Sequence, residues 1–209
     1  MHNRRFVGVA VTTLALMGTG GVATTAHAQY VAEFTPFFTS YYAVGKLAEA
    51  NSVKERQYAA PGGGARLTYW VTPSVGIEAA GSYVWSGTQF TSSDPTVTGG
   101  VSLPGNIITA SGRVLFRPSR TNLYLLAGGG MVKKGGATWD FANITKKTAI
   151  AGVVGFGARA NVTPKFALNV LVEGNFYKSN PDGAGTAYDS KLQSDIYVSI
   201  GVPIGLGRR

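Results

Sequence analysis

The chain has 209 residues, of which 44% are apolar and only 14% are charged, and its formal net charge is +9. This balance is too apolar and too weakly charged for a disordered chain. The sequence contains no cysteine, which excludes disulfide scaffolds, thiolate catalysis, iron–sulfur clusters and zinc–thiolate sites. Beyond the N-terminal segment, no run reaches the roughly 18 consecutive apolar residues that a membrane-spanning helix needs.

Residues 1–28 have the features of a cleavable signal peptide. A basic N-terminus and an apolar run over 6–17 precede Ala26-His27-Ala28, which has the small-x-small spacing that a signal peptidase recognises. A transmembrane anchor is the alternative, but threonines and glycines interrupt the apolar run. We therefore predict a signal peptide over 1–28, Sec-type export, and one β-barrel domain over 29–209.

Cleavage would also remove both histidines of the chain, His2 and His27. The mature protein would then lack imidazole as well as thiol groups, the side chains most used for acid–base catalysis and for binding transition metals. We predict no catalytic residues, no cofactor and no metal site. The sequence also lacks a basic stripe, so we expect no nucleic-acid partner.

Eight segments of the remaining chain alternate apolar and polar residues with period two, which is typical of β-strands. Three of the connections between them are short, namely 72–74, 117–122 and 163–165, and four are long, polar and rich in glycine, namely 43–62, 87–106, 134–147 and 179–192. In an up-and-down meander, alternate connections lie at the same end, so this pattern puts all short turns at one rim and all long loops at the other. The predicted strands span 30–42, 63–71, 75–86, 107–116, 123–133, 148–162, 166–178 and 193–204.

Charge within the predicted strands indicates which face points inward. Seven of the eight strands carry about one charge each, on a face that is otherwise small or polar, while the alternate positions are apolar. A barrel in water would carry many more charges on its exterior. An apolar exterior in lipid excludes them, because an arginine at the bilayer midplane costs about 2 to 4 kcal/mol. The seven charged residues that we predict to face the lumen are Glu33, Arg66, Glu78, Arg113, Arg159, Glu173 and Asp195.

Aromatic residues gather near the predicted strand ends and predict interfacial girdles. Toward the short turns these are Tyr69, Phe116, Tyr124 and Phe166, and toward the long loops Tyr41, Tyr42, Tyr83, Trp85, Phe176 and Tyr177.

With this pattern the chain resembles the small eight-stranded bacterial outer-membrane barrels of the OmpA/OmpX type. The resemblance covers 29–209 and rests on the signal peptide, the strand count, the loop asymmetry and the opening Thr35-Pro36-Phe37-Phe38 with Tyr41-Tyr42. It implies an all-β, eight-stranded, antiparallel up-and-down transmembrane barrel, a monomer located in the bacterial outer membrane. The resemblance also implies the barrel-assembly machinery as a partner, although the chain ends in Arg209 rather than in the aromatic residue usual for the family.

An eight-stranded barrel is just wide enough for side chains to fill it. We therefore predict that the three inward arginines pair with the four inward carboxylates and plug the lumen. Independent charges in a wet lumen are the alternative. Near one long loop, Lys133, Lys134, Lys146 and Lys147 are candidates for contact with lipopolysaccharide phosphates, although solvated loop lysines would look the same.

The function that this sequence favours is a non-enzymatic outer-membrane barrel that contributes to envelope integrity or to surface interaction through four extracellular loops. Its partners would be outer-membrane lipid and lipopolysaccharide. A passive pore or a carrier of small hydrophobic solutes is the main alternative. A lipid-modifying enzyme and a soluble exported barrel are further alternatives, the first weakened by the missing histidine.

Overall fold

The computed structural model describes residues 32–44, 49–50, 53–57, 59–92, 100–118, 121–137, 147–163, 166–179, 182–183, 186–187 and 191–206. The predicted signal peptide lies outside the described residues. Within them, no helix has the length and apolar character needed to cross a bilayer. The strands are β1 (Ala32–Ala43), β2 (Glu49–Ala50), β3 (Val53–Gln57), β4 (Ala60–Trp70), β5 (Val75–Val84), β6 (Gly87–Ser92), β7 (Gly100–Pro104), β8 (Asn106–Phe116), β9 (Leu123–Gly135), β10 (Thr148–Thr163), β11 (Phe166–Ser179), β12 (Asp182–Gly183), β13 (Thr186–Ala187), β14 (Lys191–Gly201) and β15 (Ile204–Gly205).

Eight of these strands form a closed antiparallel barrel. In order they are β1, β4, β5, β8, β9, β10, β11 and β14, and each pairs with the next along this series. The first and last strands close the barrel by pairing from Phe37 with Gly201 to Ala43 with Asp195, and β15 extends the seam beside β1. The predicted up-and-down eight-stranded fold is confirmed, and each barrel strand overlaps one predicted segment.

The strands are strongly staggered around the barrel. Following the paired positions from Glu33 through every strand in turn leads back to β1 at Ala43, ten residues farther along. At about 3.3 Å per residue and about 4.8 Å between strands, this stagger corresponds to a strand tilt of about 40°. Eight strands at this tilt enclose an interior that side chains can fill.

The long connections contain strands that the sequence analysis did not predict. The first two long connections, 43–62 and 87–106, were expected to be irregular, but β2, β3, β6 and β7 lie within them and form a separate four-stranded antiparallel sheet. β3 ends shortly before β4 begins, β6 follows β5, and β7 is separated from β8 by one residue, whose amide bonds to Ser86 between β5 and β6. This sheet therefore continues one side of the barrel wall beyond the rim. A further short hairpin, β12 with β13, lies in the last long connection.

Gly128 shows why some positions of the wall must be glycine. A Cβ on Gly128 of β9 would collide with the carbonyl oxygen of Gly112 on β8, whereas a Cβ on Gly112 itself would meet nothing within 4 Å. We therefore expect Gly128→Ala to destabilise the barrel by about 1 to 3 kcal/mol and Gly112→Ala to be nearly neutral. Urea unfolding of the refolded protein in lipid vesicles measures both. Equal destabilisation by the two variants would contradict this account of the wall.

Candidate functional site

The exterior of the barrel is apolar over most of its height. A strand of 11 residues such as β4, at a tilt of about 40°, rises about 28 Å, close to the apolar band of about 25 Å that a membrane barrel presents to lipid. Among the described side chains of the barrel strands, the outward charges are Lys133 and Lys178, both near the long-loop ends. Exposed large apolar side chains include Phe34, Leu67, Ile77, Val114, Leu125, Val154, Phe156 and Ile200.

The interior is divided along its height. One buried apolar cluster lies toward the short-turn end, a second lies toward the long-loop end, and a charged group occupies the middle of the barrel. The first cluster contains Trp70, Leu115, Tyr124, Leu126, Val153 and Leu171. The second contains Tyr41, Ala60, Val84, Ile107, Val132, Ala151, Tyr177 and Tyr197. The charged group consists of Arg66, Glu78, Arg113 and Glu173, all buried.

Arg113 is the centre of the charged group. Its Nη1 and Nη2 donate to the two carboxylate oxygens of Glu173, across the lumen on β11, at 2.7 and 3.0 Å. The same Nη1 lies 3.5 Å from Oε1 of Glu78, and its Nε donates to the hydroxyl of Ser111 at 2.8 Å. Glu78 also accepts a hydrogen bond from Thr68 at 2.8 Å. Arg113 therefore bridges two carboxylates from different sides of the barrel.

Arg66 is only 2% exposed, and in the described structure it is held differently from Arg113. Its Nη2 donates to the hydroxyl of Ser199 on β14, and its guanidinium lies 4.1 Å from the centroid of the Phe37 ring. Contacts of this kind place Arg66 between β1 and β14, at the closing seam of the barrel. The charged group as a whole is balanced, with two arginines and two glutamates.

The third arginine lies at the short-turn end. Arg159 Nη1 donates to Glu33 Oε1 at 2.7 Å, and this pair is more accessible to solvent than the central one. Beside it, Arg117 follows β8, stacks 4.3 Å from the centroid of the Trp70 ring and donates to the carbonyl oxygen of Pro73 at 3.0 Å. Burial is the main factor that lowers the pKa of Arg117, since it penalises the charged form, and nearby Arg159 acts in the same direction.

Asp195 is not among the residues that pair with arginine in the described structure. It is 1% exposed, and its carboxylate oxygens accept hydrogen bonds from the phenols of Tyr41 at 2.9 Å and Tyr177 at 2.7 Å. The strand pattern predicts that Asp195 pairs with an inward arginine. Asp195 lies closer to the long-loop end than the arginines do, and its hydrogen-bond partners are tyrosines on the two neighbouring strands.

Three of the predicted girdle aromatics are corrected by the structure. Tyr41, Tyr124 and Tyr177 face the lumen, with exposures of 0%, 6% and 3%. Each phenol donates a hydrogen bond to a polar side chain inside the barrel: Tyr41 and Tyr177 donate to Asp195, and Tyr124 donates to Asn169. Each phenol finds inside the barrel a partner that lipid would not offer. The other seven are exposed at the strand ends as predicted, namely Tyr42, Tyr69, Tyr83, Trp85, Phe116, Phe166 and Phe176.

The three candidate lysines that the structure describes do not lie together on the surface. Lys133 is exposed and Lys147 is half-buried, while Lys146 lies outside the described residues. Lys134 is only 5% exposed, and its Nζ lies 5.2 Å from the centroid of the Tyr177 ring. The prediction of Lys134 as a loop lysine is therefore wrong: β9 continues to Gly135, and neighbouring residues of a strand face opposite sides.

Lys134 adds a positive charge to the interior that the sequence pattern did not predict. The seven charges expected from the sequence sum to one net negative charge, since three arginines oppose four carboxylates. With Lys134 included, the buried or ion-paired charges described above are four positive side chains, Arg66, Arg113, Lys134 and Arg159, and four negative ones, Glu33, Glu78, Glu173 and Asp195. The half-buried Lys147 lies opposite Lys134 and is a further cation at that end. Opposite charges in similar numbers are expected where burial makes an uncompensated charge expensive.

An apolar exterior around an interior that holds buried ion pairs defines the class of this protein as a small transmembrane β-barrel. No model of a known protein family and no curated protein matches the sequence. Similar solved structures include the outer membrane protein OprG from Pseudomonas aeruginosa, with 12% identity over 86% of this chain and 99% of that chain and a TM-score of 0.46. The attachment invasion locus protein Ail of Yersinia pestis has 15% identity over 83% and 97% of the two chains, with a TM-score of 0.44. Outer membrane protein AlkL has 13% identity over 91% and 98%, with a TM-score of 0.49.

Proposed function

We propose that the protein is a non-enzymatic outer-membrane barrel whose lumen is closed by its own side chains. Its role would be to contribute to envelope integrity or to surface interaction through the long-loop end. The observation that carries the proposal is the bridge from Arg113 to Glu173 and Glu78, which crosses the lumen at mid-height. A bridge of this kind occupies the space that a solute would need.

The surroundings of the bridge support a closed lumen. The apolar cluster toward the long-loop end contains Tyr41 and Ile107, both 0% exposed, and the cluster toward the short-turn end contains Leu171 at 1%. Separating the members of the charged group would also leave carboxylates or guanidinium groups without partners in a low-dielectric interior. Both effects favour a filled barrel over a conducting one.

The outer membrane is the bilayer that the architecture suits. Small barrels of this membrane have short periplasmic turns and longer extracellular loops, and they hold an apolar band toward lipid. On this orientation the Glu33 and Arg159 pair faces the periplasm, and the sheet formed by β2, β3, β6 and β7 projects outward from the cell. Surface interaction would then involve this sheet and the neighbouring loops.

Contact with phosphorylated lipid is a second part of the proposal. Lys133 on β9 and Lys178 on β11 are both exposed near the top of the apolar band, whereas Lys134 is buried and is not available to lipid. Lysine is a flexible point charge that suits phosphate at a membrane surface. Lipopolysaccharide is the phosphorylated lipid expected on that side of the membrane.

Planar bilayer recording tests the closed lumen. The refolded mature protein should give no steady conductance steps, whereas a general porin inserted in the same bilayers should do so. The physical reason is that ions would have to displace the charge-paired side chains at the centre. Steady open steps from the folded, heat-modifiable protein would contradict the proposal and favour the passive pore.

One observation favours that second candidate function. Nε and Nη1 of Arg66 are buried and have no hydrogen-bond partner in the described structure. Buried donors are ordinarily satisfied, commonly by water. Water beside Arg66 would make part of the lumen wet, which is the first requirement of a pore for small solutes.

A further inference from the structure

The long-loop end of the lumen contains a carboxylate surrounded by tyrosines. Asp195 accepts hydrogen bonds from Tyr41 on β1 and Tyr177 on β11, one on each carboxylate oxygen. A third phenol ring, Tyr197, packs edge-on against Tyr41 with ring centroids 5.3 Å apart. All four side chains are almost completely buried.

This carboxylate needs a positive charge that the arginines do not supply. In the described structure Arg113 binds Glu173 and Glu78, Arg159 binds Glu33, and Arg66 reaches Ser199. Two neutral phenols stabilise an ionised carboxylate by hydrogen bonding, but they leave its charge uncompensated. Burial of an uncompensated carboxylate is costly unless a cation lies close to it.

Lys134 is a buried cation at that end of the described barrel. Its ammonium nitrogen lies 5.2 Å from the centroid of the Tyr177 ring, and the hydroxyl of the same ring donates to Asp195 at 2.7 Å. An ammonium group over an aromatic face is attracted by the negative face of the ring, more strongly where water is excluded. Tyr177 therefore connects the cation and the carboxylate, through its face on one side and its hydroxyl on the other.

We propose that Asp195, Tyr177 and Tyr41 form a binding site for a primary ammonium group at the long-loop end of the lumen, and that the side chain of Lys134 is its resident ligand. The chemistry that fills the site is a compact ammonium ion carried on a short alkyl stem. A free alkylammonium ion has the same charge and shape, so it should occupy the site when the lysine side chain is absent. This inference does not depend on whether the centre of the lumen conducts.

Chemical rescue of Lys134→Met tests the proposal. The variant keeps a stem of similar volume but loses the ammonium, so its folded, fast-migrating gel band should be lost at a lower temperature than that of the wild type. Adding n-butylammonium chloride should restore most of this shift, relative to sodium chloride at the same ionic strength. The wild type should not respond, because its site is already filled.

Two control variants show whether the amine acts at this site. Lys133→Met removes the neighbouring, outward lysine and should show no amine-specific effect. Combining Lys134→Met with Asp195→Asn removes the carboxylate and should abolish the rescue. Rescue that is equal with sodium chloride, or equal in Lys133→Met, would overturn the proposal.

A labelling experiment on the folded wild type covers the case in which Lys134→Met does not fold. Acetic anhydride should acetylate Lys133 much faster than Lys134, as read by mass spectrometry of peptides. In Asp195→Asn, labelling of Lys134 should rise toward that of Lys133, because the charge that holds its ammonium has been removed. Similar labelling of the two lysines in the wild type, or no change in Asp195→Asn, would count against a resident ammonium.

Discussion

Arg113→Ala should destabilise the folded barrel by about 3 to 5 kcal/mol, the largest effect we expect from a single interior side chain. The substitution removes the guanidinium that binds both oxygens of Glu173 at 2.7 and 3.0 Å and lies 3.5 Å from Glu78. Both carboxylates would remain buried with no arginine bridging them. Urea unfolding in lipid vesicles, followed by tryptophan fluorescence and by heat-modifiability on gels, measures the change.

The matched control for this prediction is Arg117→Ala. Arg117 is also an arginine, but it lies after β8 at the short-turn rim, where it stacks on Trp70 and binds a backbone carbonyl. Loss of such a partly exposed contact should cost about 1 kcal/mol or less. Joining Arg113→Ala with Glu173→Gln should recover part of the stability, because one orphaned charge is removed. Equal effects of the two arginine variants, or no recovery in the double variant, would refute the central bridge.

Val154→Arg tests the other half of the architecture, the lipid-facing exterior. Val154 lies near the middle of β10 and is 50% exposed on the outward face. An arginine there must leave water for the hydrocarbon core, so we expect a loss of about 2 to 4 kcal/mol in vesicles. The measurement is the same urea titration in bilayers.

Thr148→Arg provides the control on the same strand. Thr148 is exposed, faces outward and pairs with Lys133 at the long-loop end of β10. A charge at this interfacial height should cost about 0 to 1 kcal/mol. A similar loss for both variants would mean that the outward face of β10 does not cross a bilayer, and the membrane assignment would fail with it.

The fold was accessible from the sequence because a barrel strand repeats every two residues. Glu33, Arg66 and Glu173 each sit one position from apolar neighbours, and this alternation identifies the inward face of a strand independently of its partners. The connection lengths then supplied the topology, since short and long connections alternate along the chain. The structure buries six of the seven charges that the alternation predicts to face inward and leaves Arg159 partly exposed at the short-turn end, but the partner of each charge was not readable from the pattern.

Partners across the lumen depend on the height of each residue, which the stagger of the strands determines. Asp195 meets Tyr41 and Tyr177 because their strands bring them to one level, and the sequence contains no local signal of that level. The same limit explains Lys134. The predicted strand ends at Lys133, two residues before the end of β9. Lys134 was therefore assigned to the loop, although its side chain faces inward.

The extra sheet was missed for a different reason. β3 and β6 are short, and their sequences, Val53–Gln57 and Gly87–Ser92, are mostly polar, with a single large apolar residue, Phe90, and no apolar alternation. Such segments become strands because they continue hydrogen bonding that the barrel has already begun. Tertiary context of this kind overrides local preference in β-sheets.

Several interior contacts join opposite ends of the chain. Tyr41 and Asp195 are 154 positions apart, Arg66 and Ser199 are 133 apart, and Glu33 and Arg159 are 126 apart. None of these contacts can form in an unclosed sheet, where Arg66 and Arg159 would lack these partners. Insertion into the bilayer and pairing of the two terminal strands should therefore occur together, in one cooperative step. This step should be slow, because bringing distant parts of the chain together has a large entropy cost.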